Sequence, residues 1–167
     1  VTTFDVDNPD GDCDLGNSTI TASDDVTIST TRTGDLQNGT SWLIMDGGDL
    51  STDSALRNLQ ITADCDLDSP LITLDGDLQI NAGTLDTRET DITIAGDFTN
   101  SSTFIHGDNR VIFNNTGEDQ TLDPGASPFF DLTKQGETRL TILNNTLTVA
   151  STLRINAAND IVDMEAI

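Results

Sequence analysis

The chain has 167 residues, a length suited to one domain, so residues 1–167 are expected to share a single core. Its formal charge is −22, from 29 acidic against 7 basic residues. That balance argues against nucleic-acid binding, which needs a basic surface to neutralise phosphates, and against docking on anionic membranes. Asp supplies 25 of the acids and Thr numbers 26, while Tyr is absent and Lys134 is the single lysine. Asp and Thr are poor helix interiors; Thr favours strands and Asp favours turns, which argues against a helical bundle. With 35% apolar residues and little low complexity the chain has material for a core. No apolar stretch is long enough to span a bilayer, and no basic start followed by an apolar run marks a signal peptide. The first residue is Val1, which points to a processed protein or a fragment.

Along the chain, apolar residues recur in pairs around one intervening residue. They are Val26-Thr-Ile28, Trp42-Leu-Ile44, Leu59-Gln-Ile61, Ile72-Thr-Leu74, Leu78-Gln-Ile80 and Ile92-Thr-Ile94. Val111-Ile-Phe113, Leu140-Thr-Ile142, Leu147-Thr-Val149 and Leu153-Arg-Ile155 follow. Alternation with period two predicts strands, here very short ones, and the Gly-Asp, Asn-Gly and Asn-Asn pairs between them predict turns. No segment carries a 3.6-residue apolar stripe, so the chain is expected to be all-β.

The pattern also repeats. Cys13-Asp-Leu15, Ile20-Thr21, Asp25 and Ile28 align with Cys65-Asp-Leu67, Ile72-Thr73, Asp77 and Ile80 at an offset of 52. Leu78-Gln-Ile-Asn-Ala82 aligns with Leu153-Arg-Ile-Asn-Ala157 at an offset of 75, and Cys65 and Leu67 fall on Leu140 and Ile142. The difference between the offsets is about one coil of a β-solenoid. The expected architecture is therefore a parallel β-helix, a right-handed stack of coils of roughly 20 residues each. Its internal units are expected at 1–54, 55–127 and 128–167. About seven coils at ~4.8 Å would make a rod of roughly 35 Å. An antiparallel β-sandwich is the alternative, since it also uses short strands and tight turns.

The best-formed unit reads Ile94-Ala-Gly-Asp-Phe-Thr-Asn100, Ser102-Thr-Phe104, Asn109-Arg-Val-Ile-Phe-Asn114, Gln120-Thr-Leu122 and Phe129-Phe-Asp-Leu132. Leu140-Thr-Ile142 and Leu147-Thr-Val149 complete it. This resembles the β-solenoid repeats of bacterial and phage surface proteins, of the type GD(F/W)TN…VTFNG…FYNLT…LTV.GTL.I, over residues 56–157. Asp and Asn stand here where that pattern often has Gly. The resemblance implies a non-enzymatic extracellular structural protein, such as a capsid decoration, tail fibre or spike on a virion. Its partners would be copies of itself or other surface proteins. The same resemblance accommodates a second role, a module of a secreted bacterial adhesin that binds glycan or a host surface.

Four sets of residues are candidates for chemistry. Asp5, Asp7, Asp10, Asp12 and Asp14 lie close together, and Asp64, Asp66 and Asp68 alternate along one strand, with Cys65 and Leu67 facing inward. Hard cations take clusters of carboxylate oxygens, so these eight are the candidate calcium ligands, although neither segment completes an EF-hand. A solvated acidic face is the competing explanation. Asp75 and Asp77 flank Gly76, and approach by Asp64 to Asp68 from a neighbouring coil would supply carboxylate pairs for glycoside hydrolysis. The cations available to hold an acidic sugar are only Arg88, Arg110, Arg139, Arg154 and Lys134, and no enzymatic activity is expected. His106, beside Gly107 and Asp108, is expected in an exposed turn. Cys13 and Cys65 are expected at equivalent inward positions, too far apart for a disulfide and hence reduced. Finally, Asn17, Asn38, Asn100, Asn114 and Asn144 each begin an N-x-S/T sequon. Of the adjacent Phe129 and Phe130, one must face outward.

Overall fold

The computed structural model describes residues 13–29, 36–37, 39–156 and 160–164. Among these residues there are strands and turns and no helix, and the strands pair in parallel throughout. The chain is a three-sided β-solenoid; the parallel pairing excludes the antiparallel sandwich. The first side is an eight-stranded sheet of Thr19–Ala22, Trp42–Met45, Asn58–Ile61, Leu78–Ile80, Phe98–Asn100, Gln120–Asp123, Arg139–Ile142 and Ile161–Met164. The second side carries Val26–Ile28, Asp49–Thr52, Cys65–Leu67, Thr84–Asp86 and Thr103–Ile105. The third carries Leu71–Leu74, Asp91–Ile94, Arg110–Phe113, Phe129–Lys134 and Val149–Ile155. A separate pair, Cys13–Asp14 with Leu36–Gln37, occupies the third side's place in the chain order of the early coils.

Eight strands on the first side make seven coils. The coils are unequal in length. Measured between register partners on that side, the shortest runs from Trp42 to Asn58 and the longest from Phe98 to Leu122. The sheet passes residues 54–55 and 127–128 without a break.

In most of the repeated triplets the apolar residues point inward and the middle residue outward, as in Ile72-Thr-Leu74 and Leu78-Gln-Ile80, whereas Trp42-Leu-Ile44 has the opposite phase, with Leu43 and Met45 inward and Trp42 and Ile44 outward. Stacking then builds interior rows. One runs Ile20, Leu43, Leu59, Leu78, Phe98, Leu122 and Ile142; another runs Ile72, Ile92, Val111, Leu132 and Leu153. A coil alone leaves these side chains in water. Each burial in a stack contributes about 1.5–3 kcal/mol, so neighbouring coils stabilise one another.

The coil phase differs from the expectation. The offset of 52 carries Thr19–Ala22, on the first side, onto Leu71–Leu74, on the third; the offset of 75 carries Cys65–Leu67, on the second, onto Arg139–Ile142, on the first. Both offsets are whole coils plus two thirds of a coil. All three sides use the same apolar–polar–apolar unit and similar turns, so the sequence matches strand to strand without regard to side. Cys13 and Cys65 consequently do not occupy equivalent positions. Cys13 pairs with Leu36 in the separate two-stranded sheet, whereas Cys65 is buried on the second side.

The aspartates have a structural task beyond solvation. At the corners, a carboxylate Oδ1 accepts the backbone N–H of the residue in register one coil further on. Asp25 accepts from Asp49 (3.0 Å), Asp77 from Asp97 (2.9 Å), Asp91 from Arg110 (2.9 Å) and Asp97 from Thr121 (2.7 Å). Asp119 does the same for Arg139 and Asp131 for Thr152, both at 2.9 Å. Buried Asn58 begins one such chain, its Oδ1 taking the N–H of Asp77 at 2.9 Å. These charge-assisted bonds satisfy corner N–H groups that a turn would otherwise leave to water. Asp131→Ala should therefore lower stability by about 1 kcal/mol, and Asp131→Asn, which keeps the acceptor, by much less. Urea denaturation of the two variants separates this role from simple surface charge, which both remove equally.

Candidate functional sites on the solenoid surface

Asp64, Asp66 and Asp68 flank the inward-facing Cys65 and Leu67 and share the outer face of the second side, as the alternation predicts. Along that face Asp25, Asp49, Asp66 and Asp86 stand in register on successive coils. Arg88 reaches back over this row, hydrogen-bonding Asp66 and standing 3.6 Å from Asp49. A guanidinium thus occupies the middle of the acidic ladder, and the hydrogen bond and charge of Asp66, with the neighbouring carboxylates, raise its pKa. Asp14 is exposed and closes a local turn, its Oδ1 accepting the Gly16 N–H at 2.7 Å. Asp5, Asp7, Asp10 and Asp12 lie outside the described residues. Among the described residues no three His, Cys, Asp or Glu side chains are grouped to hold a metal ion.

Beneath the ladder, burial first, then the charges of Asp66 and Asp49, pushes the Cys65 thiol up to about 12. The thiol is free. In a Cys13→Ser background, Cys65 is expected to resist an aromatic disulfide reagent at pH 8 in the native protein and to react on denaturation. Rapid native labelling would show that the second side opens readily.

The second cluster is a groove of about 460 Å³ at the corner where the third side turns into the first. Asp75 and Asp77 line it as a flanking pair, but their register neighbours are Leu56–Asn58 on one coil and Ala95–Asp97 on the other. Asp64 to Asp68 belong to the second side and do not approach them from a neighbouring coil, contrary to the expectation. The carboxylates that join Asp75 and Asp77 along the groove are instead Asp97, Glu118 and Asp119, beside Trp42 and Arg57. Trp42, Asn58, Asp77 and Asp97 are consecutive rungs of one register row, in which Asn58 is buried, its amide bonded to Ser41 and Asp77, and the other three line the groove. Arg57 is held at the corner by donation from Nη1 to the Asp75 carbonyl at 2.7 Å. The near-even spacing of Asn58, Asp77 and Asp97 was the signal for this row, legible only once the coil length is known.

The cations expected to be available for an acidic sugar are mostly committed elsewhere. Lys134 is fully buried. Arg110 pairs with Asp91 at 3.0 Å, Arg139 pairs with Asp163, and Arg88 is engaged as described. Arg154 is exposed on the outer face of the third side.

His106 lies in a turn, its Nδ1 accepting the Asp108 N–H at 3.0 Å, and it packs on Phe130 with ring centroids 5.6 Å apart. Phe129 is buried and Phe130 turns outward, as the strand alternation requires. Of the sequons, Asn38 lies outside the described residues. Asn100 is buried and donates to the Pro124 carbonyl at 3.0 Å, so it is closed to modification in the folded chain. The Oδ1 of Asn114 is buried. Asn17 and Asn144 are exposed, and Asn144 donates to Asp123 at 2.7 Å. Burial works to raise the Asp123 pKa, but donation from Asn144, Asn145 and the Gly125 N–H holds it below the usual carboxylate range.

At the C-terminal end of the described stack the interior rows run out. Leu153 continues the row of Leu132 and is 48% exposed; Ile155 continues the row of Phe113 and Lys134 and is 49% exposed. Val149–Ile155 pairs with Phe129–Lys134 on one edge and, among the described residues, with no strand on the other, and it carries apolar side chains on its inward face. No family model, curated protein or solved structure matches the chain.

Proposed function

We propose that this chain is a non-enzymatic structural β-solenoid of an extracellular surface assembly, a virion decoration, fibre or spike, joined through its C-terminal end to a second copy of itself. The observation that carries this reading is the outer edge of Val149–Ile155 in the described stack, where Leu153 and Ile155 stand exposed in rows that are buried one coil earlier. A parallel strand of a neighbouring solenoid extends the same rows and takes up the free edge groups, so the junction repeats the contact that holds every coil to the next. A head-to-tail contact of this kind is heterologous and builds filaments or closed rings. The resemblance to surface-protein repeats supports an extracellular setting. The adhesin reading is favoured by a different observation, the groove containing Trp42.

Light scattering of the purified chain is expected to show a mass above the monomer that rises with concentration. Leu153→Asp with Ile155→Asp, both at exposed positions that tolerate charge in the isolated chain, should return it to a monomer. A wild-type chain that stays monomeric at all concentrations overturns the assembly reading. An oligomer that dissociates on calcium chelation while surviving the two substitutions overturns the apolar joint and moves it to the aspartates.

A further inference from the structure

We infer that the corner groove is a binding site for a neutral oligosaccharide lying along the solenoid axis. This goes beyond the assembly reading and does not depend on it, since the groove and the C-terminal end are separate surfaces. The inference starts from what shares one row. Trp42, the only tryptophan in the chain, stands at one end, half-buried, with its register partner Asn58 and then Asp77 and Asp97 following one coil at a time. Strands stack at ~4.8 Å, so beyond the buried Asn58 the carboxylates of Asp77 and Asp97 stand two and three rungs from the indole, one rung apart from each other, which is close to the spacing of successive pyranose rings.

The acceptors are held in place before any ligand arrives. Asp77 Oδ1 receives the Asp97 N–H at 2.9 Å, and Asp97 Oδ1 receives the Thr121 N–H at 2.7 Å. Gly76 and Gly96 are in register on adjacent coils beneath them, and a Cβ on either would collide with the Asn58 or Asp77 side chain. Their absence of side chains keeps the row seated in the corner. A carboxylate locked by one backbone bond retains lone pairs for a hydroxyl donor and loses little entropy on binding.

The charges select among ligands. Five carboxylates, Asp75, Asp77, Asp97, Glu118 and Asp119, repel a uronate or sulfated chain. Arg57, fixed beside Trp42 by its bond to the Asp75 carbonyl, disfavours a cation at the aromatic end. A sugar satisfies both ends: its apolar ring face covers the indole, and its hydroxyls donate to the carboxylates and accept from Arg57. An extended peptide repeats at ~3.3 Å per residue and matches the rungs less well.

The chain has one tryptophan and no tyrosine, so its intrinsic emission reports on this groove alone. Titration with cellotetraose, chitotetraose and maltotetraose, alongside polygalacturonate, tetralysine and calcium chloride, is expected to give a saturable emission change with at least one neutral saccharide and none with polygalacturonate. Calorimetry should then show at least tenfold weaker binding in Trp42→Ala. Asp97→Asn keeps the acceptor for Thr121 and hence the fold, and should weaken binding several-fold while leaving the circular dichroism unchanged. No response to any neutral saccharide at millimolar concentration overturns the inference. Saturation by tetralysine or calcium instead reassigns the groove to a cationic ligand and equally overturns it.

Discussion

Phe98→Ala is expected to cost about 3–5 kcal/mol, a large part of the stability of a chain this size. Phe98 is fully buried on the first side, Phe104 comes from the second side and Phe129 from the third, one coil on. Their rings meet edge to face or tilted, at 5.7 Å for Phe98–Phe104, 5.3 Å for Phe98–Phe129 and 5.2 Å for Phe104–Phe129. The cluster therefore ties all three sides together across two coils, and truncation leaves a cavity that three short, paired strands cannot collapse to fill. Because each coil contacts only its neighbours, the loss should be local at first. Hydrogen exchange in Phe98→Ala should rise from about Ile92 to Lys134 before it rises in the early coils. A loss under about 1 kcal/mol, or uniform exchange along the chain, would show that the coils do not depend on this cluster.

Lys134→Met should destabilise by about 3–5 kcal/mol although it places an apolar residue in an apolar row. Lys134 stands in register between Phe113 and Ile155, with no exposed surface. Its Nζ donates to the Gln135 carbonyl at 2.6 Å and to Thr138 Oγ1 at 3.0 Å, and lies 3.9 Å from the buried carboxylate of Asp160. Burial pulls the ammonium pKa down, and the charges of Asp160 and Asp119 oppose that pull. Removing the lysine takes away the cation beside the buried Asp160 carboxylate, while the hydrogen bond from the Glu137 N–H remains. Lys134→Met combined with Asp160→Asn removes both charges while preserving the acceptor for the Glu137 N–H, which Asp160 Oδ1 holds at 2.7 Å. The double variant is expected to regain most of the lost stability in a urea denaturation cycle. If Lys134→Met alone is as stable as wild type, the pair is not coupled.

Strands and sites differ in how far they can be read from residues. The triplets such as Ile72-Thr-Leu74 announce short strands with one buried face, because a period of two has one physical cause and Gly-Asp or Asn-Gly turns punctuate it. Their number and recurrence announce stacked coils. The outer placement of Asp64, Asp66 and Asp68 and the division of Phe129 from Phe130 follow from the same alternation. Lys134 shows the limit. As the chain's only lysine in an acidic sequence it reads as surface, yet it fills an interior row because Asp160, on a later stretch of chain, comes back beside it. No local pattern marks such a pair.

An all-β solenoid of about seven coils, with the apolar residues of most triplets inside and their middle residues outside, is thus written in the amino-acid order, since each of these features follows from spacing within a few residues. Which strands share a side is not written there and emerges only when the chain closes into coils. The coils vary in length and the three sides use the same triplet, so a repeat found in the sequence carries no mark of its phase. That phase is what brings Trp42, Asn58, Asp77 and Asp97 into one row, separates Cys13 from Cys65, and turns corner aspartates into acceptors for the next coil. Contacts between coils join residues a whole turn of the solenoid apart, and their partnership is fixed by how the backbone closes each turn.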